Sequence, residues 1–259
     1  MTLKLLEVMP DLRAGNGLGS VDGHELCVMA MCAAEARLRR GEPIGEATDR
    51  CRCVSPVLRM LAIARNDATW ESAKARTTWA LALYPRLLGT RDKAHDVRRV
   101  KAVARYTVRV IAAEALRSAG LLEEANRLAS LPEDVPLDVA EAAARTAAES
   151  AWAAESAWAA KNAQAEKNAR AAKNARATRA VWTAWVAQVR WAIGVARAAQ
   201  IAEIAVDAVD DARNARVVPA AEAVTEAAAQ FARAKQFAWD TARATVGLDA
   251  LLRIAMKTA

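Results

Sequence analysis

The residues best able to bind a metal ion are cysteine and histidine side chains near the start of the chain. They are His24, Cys27, Cys32, Cys51 and Cys53. Cys27 and Cys32 lie on a predicted helix, where a step of five residues turns their side chains about 140° apart. Cys51 and Cys53 are separated by one residue, a shorter spacing than paired zinc ligands usually have. We therefore expect no metal ion here, and we expect a buried Cys27 to pack near Cys53.

Basic side chains form a stripe on the helix predicted to run from Thr90 or Asp92 to about Ser118. The stripe consists of Arg98, Lys101, Arg105 and Arg109. On an α-helix these four lie within roughly 80° of one another, opposite a valine-rich face. Such a stripe can follow a phosphate backbone or an acidic protein surface. A solvated helix face that keeps the protein soluble is the more common role of this pattern.

A second basic run spirals around its predicted helix and cannot form one flat face. Its members are Lys161, Lys167, Arg170, Lys173, Arg176 and Arg179. Most are three residues apart, and each such step falls short of a full turn by about 60°. We interpret these side chains as solubilising groups whose stems cover a small alanine surface.

Residues that could catalyse a reaction or stack on bases are scarce. The sequence contains no phosphate-binding P-loop, no G-x-S-x-G and no H-E-x-x-H motif, and its only histidines are His24 and His95. Trp152 and Trp158 differ by about 240° around a helix, so they cannot form one stacking platform. We therefore predict a protein that is not an enzyme and has no cofactor.

A six-residue repeat occupies residues 147–176. Its units are AAESAW, AAESAW, AAKNAQ, AEKNAR and AAKNAR. The composition is strongly helix-forming, but six residues rotate a helix by about 600°, so successive units point in three directions. The repeat predicts a thin, alanine-lined helix with no single apolar face.

Capping and breaking residues predict the elements that carry these groups. Residues up to Gly19 are expected to be a flexible approach to the first of five helices. The first is expected at about 24–40, the second from Ser55-Pro56 onward, and the third at 69–88, ending before Gly89. The fourth is expected from Thr90 or Asp92 to about Ser118, and the fifth at 121–131. The proline-containing stretch after Leu131 then predicts a linker.

The linker divides the chain into an N-terminal helical domain (1–131) and an Ala-rich long-helix domain (137–259). Asp138 and Glu141 have the spacing of a capping box at the start of the second domain. No proline or glycine follows until Gly194, so residues 137–193 form either one continuous helix or a helix that folds back. The asparagines at 162, 168 and 174 mark the candidate turning points. Later helices are expected at about 220–244 and 248–257.

The composition supports an all-α fold, with an N-terminal bundle followed by long helices in an extended hairpin or bundle. Glycine and proline total 10 and 7 among 259 residues, and β-type alternation is almost absent. The formal net charge is +7 at pH 7, which is compatible with an acidic partner or nucleic acid. We find no stretch that predicts a membrane span or a signal peptide, and we therefore expect reduced cysteines and a cytoplasmic location.

Several short motifs occur in an order that resembles a known group of proteins. They are Cys27-Val28-Met29, Gly41-Glu42-Pro43, Cys53-Val54-Ser55-Pro56-Val57-Leu58, Asn66-Asp67, Tyr84-Pro85-Arg86-Leu87-Leu88-Gly89-Thr90 and Arg98-Arg99. The pattern resembles uncharacterised Ala/Trp-repeat helical proteins of actinobacteria and their phages. The resemblance implies an all-helical fold and such a source, and it implies no activity because the group has none assigned.

This chain departs from the group at two places. It has Ala30 where the group often has glutamate, and Arg50-Cys51 where the group tends to have His-Pro. If those positions form a polar or metal site in the group, the departures imply its loss here.

These observations predict a non-enzymatic interaction or structural protein. Its long alanine-lined helical surface would meet a protein partner or a second copy of the chain, because small side chains let helices approach closely. The alternative is a nucleic-acid-binding protein that uses the basic stripe.

Overall fold

A computed structural model describes residues 3–171, 195–237 and 246–258, with side chains described over 3–159, 195–231 and 249–258. Its helices and strands follow one another along the chain. They are α1 (Lys4–Val8), β1 (Arg13–Ala14), β2 (Gly19–Ser20), β3 (Glu25–Leu26), α2 (Val28–Arg39), α3 (Pro56–Asp67), α4 (Ala73–Leu87), α5 (Lys93–Tyr106), a π-helical segment (Thr107–Ala112), α6 (Ala113–Ser118), α7 (Leu122–Ala129), α8 (Leu137–Ala171), α9 (helical over 195–213), α10 (Val217–Phe237) and α11 (Val246–Lys257). The predicted all-α class is confirmed.

The N-terminal segment is more ordered than the sequence suggested. Instead of a flexible approach, it contains α1 and three two-residue strands in the order β1-β3-β2. Strand β3 pairs parallel with β1 and antiparallel with β2, and Glu25 lies opposite both Arg13 and Ser20. This sheet is held to α3 by Asn66, which donates to Gly15 O and accepts from Val28 N. Such long-range hydrogen bonds leave no periodic sequence signal, so the prediction was wrong here.

Local capping signals located the helices between residues 28 and 129 well. The Ser55 hydroxyl accepts from Leu58 N at 3.5 Å, and Pro56 is the first residue of α3. Asp92, rather than Thr90, caps α5 by accepting from His95 N. Gly89 has a φ of +73°, the left-handed conformation expected just after a helix.

One helix was predicted with too regular a geometry. The helix that begins at Lys93 reaches Ser118 as expected, but Thr107–Ala112 are π-helical. A π turn changes the angular phase of every residue that follows it. The wheel position calculated for Arg109 from a constant α-helical rotation is therefore wrong.

Helices from both predicted domains pack against each other. Helices α10 and α11 both contact α3 and α5. Arg65 on α3 donates to Asp249 on α11 at 2.9 Å, and its guanidinium lies 3.4 Å from the centroid of the Trp70 ring. Buried residues of both parts belong to the same hydrophobic cluster. The division at residues 131–137 stays a prediction. It divides the sequence into two parts and does not imply two separate hydrophobic cores.

Helix α8 settles part of the question about the long alanine-rich stretch. It is continuous over 35 residues, or about 52 Å, and passes Asn162 and Asn168 without turning. Asn174 lies outside the described residues. The capping-box prediction was wrong, because the helix begins at Leu137 and the Glu141 carboxylate pairs with Arg145 and Arg213.

Candidate functional site

Two helix surfaces contain the residues predicted to bind partners, and the first is the stripe on α5. Arg98 is exposed and Lys101 is half-buried. In the part of the chain that the structure describes, neither side chain pairs with a carboxylate. These two cations are therefore available to an anionic partner.

The other half of the stripe is used within the molecule. Arg105 Nε donates to Val135 O at 2.7 Å, and Arg109 Nε donates to Leu131 O at 2.7 Å. Both carbonyls belong to the linker between α7 and α8, which has two prolines and few backbone partners of its own. Hydrogen bonds from a charged donor are stronger than neutral ones, so these arginines fix the linker against α5 and the π-helical segment.

Sequence reasoning missed this role of Arg105 and Arg109. The available signal was the linker itself, because the carbonyl groups of a non-helical segment that packs against the rest of the fold need donors in place of water. The structure therefore divides the predicted site. Arg98 and Lys101 have no carboxylate partner among the described residues, whereas Arg105 and Arg109 donate to linker carbonyl groups.

The second surface is on α8, where two identical AAESAW units meet different surroundings. In the first unit, Ala147, Ala148 and Ala151 are at most 4 % exposed. In the second unit, the residues equivalent to Ala147 and Ala151 are Ala153 and Ala157, and both are exposed. A rotation of about 240° per unit accounts for this difference, because it turns the second unit away from the core.

Helix α9 lies beside the start of α8 and runs antiparallel to it. Arg213 lies 2.7 Å from Glu141 near the start of α8, and Trp152 Nε1 donates to Glu203 Oε1 at 2.8 Å. These two contacts run in opposite chain directions on the two helices. Helix α8 therefore has another alanine-rich helix as an antiparallel neighbour.

Part of the predicted repeat surface falls beyond the side chains that the structure describes. The side chains of the spiral basic run, from Lys161 to Arg179, lie outside the described residues. Trp182 and Trp185 also lie outside the described residues; their helical spacing with neighbouring aliphatic residues predicts a core-facing position.

The cysteines do not form a recognisable metal centre. The Cys27 sulfur accepts from Ala30 N at the start of α2, and Cys32 Sγ donates to Tyr84 O at 3.5 Å. The sulfur next to Cys53 is that of Cys51 rather than Cys27. Over 3–171, 195–237 and 246–258, no three His, Cys, Asp or Glu side chains are grouped so that they could hold a metal ion. Burial raises the pKa of both Cys27 and Cys32, which keeps these thiols protonated at neutral pH.

Comparison with known proteins adds no assignment. No model of a known protein family matches the chain, and searches of curated proteins and of solved structures also found no match. Within the described ranges, none of the helices has the length and apolar character needed to cross a membrane.

Proposed function

We propose that the protein is a non-enzymatic, cytoplasmic interaction protein that presents the exposed alanine face of α8 to another helix. The observation that carries this proposal is the different fate of the two AAESAW units. The alanines Ala147 and Ala151 of one unit are buried, whereas the equivalent alanines of the next unit, Ala153 and Ala157, face solvent. The favoured occupant is α8 of a second copy of the chain, and a different protein partner is the other outcome.

The physical basis of the proposal is the size of the side chains. Ala153 and Ala157 are four residues apart, so both lie on the same face of the helix. Small side chains let two helix backbones approach closely, and alanine loses no side-chain entropy when it is buried. This surface therefore suits a long helix better than a small molecule.

The test is a charge placed on this face. The double variant Ala153→Glu/Ala157→Glu keeps good helix-forming residues but would bury carboxylates at the contact. Sedimentation velocity over a range of protein concentrations should show self-association of the wild type. The variant should associate more weakly by at least about tenfold, which corresponds to about 1.4 kcal/mol.

A matched control is available on another helix. Thr78 and Ala82 are also exposed and four residues apart, but they lie on α4. Thr78→Glu/Ala82→Glu adds the same charge and should associate like the wild type. Equal association of both double variants would refute the self-association proposal. A monomeric wild type that loses a captured protein only in the Ala153/Ala157 variant would replace the second copy with a different partner.

The alternative proposal is binding of nucleic acid by the open half of the α5 stripe. It is favoured by the unpaired Arg98 and Lys101 described above. Reversing all four stripe charges would also release the linker, so the useful variant is Arg98→Glu/Lys101→Glu. The alternative predicts sequence-independent binding that weakens with salt and is lost in this variant. Unchanged binding in the variant would exclude the stripe as the site.

We also propose an actinobacterial or phage source for the protein. The motif order from Cys27 to Arg99 supports an actinobacterial or phage origin only through the resemblance described above.

A further inference from the structure

A pair of thiols lies in the irregular segment between α2 and α3, in the run Arg50-Cys51-Arg52-Cys53. The two sulfur atoms are 2.9 Å apart, and both cysteines are free thiols. Cys51 is 7 % exposed, whereas Cys53 is half-buried and therefore easier to reach from solvent. Neither thiol takes part in the interaction surface proposed for α8.

A cavity of about 520 Å³ opens beside these thiols, and its walls are strongly basic. Four arginines line it: Arg37, Arg40, Arg50 and Arg52. Arg37 donates to Ile44 O and Arg40 pairs with Glu42, so these two are engaged within the protein. Arg50 and Arg52 are exposed, and among the described residues neither has a carboxylate partner. The cavity thus combines an adjacent thiol pair with uncompensated positive charge.

We propose that Cys51 and Cys53 form a reversible oxidation site, and that the oxidant is an anionic low-molecular-weight disulfide held by the basic cavity. The arginines attract the carboxylates of such a molecule and place its disulfide bond next to Cys53. Oxidised glutathione has the required chemistry, because it carries carboxylates around a central disulfide.

The reaction requires two thiol–disulfide exchange steps. The Cys53 thiolate attacks one sulfur of the small disulfide, forms a mixed disulfide and releases one small thiol. Cys51, after losing its proton, then attacks the Cys53 sulfur and displaces the second small thiol. Two protein thiols and one small disulfide become one protein disulfide and two small thiols, so atoms and electrons balance.

Exposure and proximity assign the order of attack. Burial raises the pKa of Cys51 to about 11, which makes this thiol a poor first nucleophile. Once Cys53 carries the mixed disulfide, the neighbouring Cys51 sulfur benefits from a high effective concentration. Closing a loop of only a few residues stabilises a disulfide little, so the product should be readily reduced again.

The test measures which thiols are lost in a glutathione redox buffer. Reduced full-length protein is equilibrated at an oxidising poise of about −180 mV, quenched with acid, denatured and alkylated. Intact-mass spectrometry should show two alkylated thiols instead of four. Cys51→Ser should retain one glutathione on Cys53, and the control Cys27→Ser should still form the disulfide.

The role of the cavity is tested with two small disulfides of different charge. In Arg50→Glu/Arg52→Glu, oxidation by glutathione disulfide should slow by about tenfold because electrostatic attraction is lost. Oxidation by the neutral 2-hydroxyethyl disulfide should keep its rate. Four alkylated thiols in the wild type at this poise would overturn the proposal. So would the loss of two of the three remaining thiols in Cys51→Ser, or equal slowing with both disulfides.

Discussion

The buried arginine at position 99 offers the sharpest test of how the two halves of the chain are joined. Arg99 is 2 % exposed, although it follows the exposed Arg98 directly. Its Nη1 donates to Asp96 Oδ1 at 2.9 Å and to Thr90 O at 2.8 Å, and its Nε donates to Ala255 O at 3.1 Å. One guanidinium therefore connects α5, the turn before α5, and α11.

Replacing Arg99 with methionine should destabilise the protein by about 3–5 kcal/mol, because it leaves the buried Asp96 carboxylate without its cation. Asp96 is 5 % exposed, so water cannot readily replace the lost partner. Two backbone carbonyls also lose a charged donor. Against a typical total stability of about 5–15 kcal/mol, this loss would be large.

Urea denaturation of the variant and of two companions measures the effect. Arg98→Met should stay within about 0.5 kcal/mol of the wild type, because this side chain is exposed. Adding Asp96→Asn to Arg99→Met should recover about 2 kcal/mol by removing the orphaned charge. The reasoning fails if Arg99→Met costs less than about 1 kcal/mol, or if adding Asp96→Asn to it recovers no stability.

Three further predictions concern two glycines of the N-terminal segment, the buried Glu35 carboxylate and the buried Tyr84 side chain. At Gly19, φ is +77° and an added Cβ would overlap the Glu25 carbonyl, so Gly19→Ala should disrupt the strands. Gly17→Ala, with φ +59° and open space, should cost only about 1 kcal/mol. Glu35→Ala should speed hydrogen exchange of the Leu5 amide, which donates to the buried carboxylate at 2.8 Å. Burial raises the pKa of Tyr84 to about 12, so its ionisation lowers stability as pH rises from 10 to 12. Denaturation midpoints of Tyr84→Phe should therefore fall less over that range.

Local signals in the sequence located many helix ends because caps act within one turn. Ser55 and Pro56 begin α3, and Gly89 follows α4, as their conformational preferences require. Each of these signals depends on backbone groups within about four residues. These signals therefore indicate helix ends independently of the tertiary fold.

The candidate site could be predicted only in part, because neighbours distant in sequence decide what a side chain does. Arg98 and Arg99 are the same residue type, but only the second reaches a carbonyl on α11, 156 positions away. The sequence predicts Arg105 and Arg109 as members of one basic stripe. Their engagement with the linker carbonyls depends on how α7 and α8 pack, which no local pattern encodes.

The hexad repeat also shows that local sequence does not determine burial, because two identical units have different surroundings. Ala151 and Ala157 occupy equivalent positions in two identical units, but the first is fully buried and the second is exposed. Their helix propensity is the same, so the difference comes from rotation about the helix axis and from the position of the rest of the fold. A period of six residues therefore cannot dedicate one face of α8 to the core. It distributes alanines around the helix, and those that the rest of the chain leaves uncovered form the surface proposed to meet a second helix.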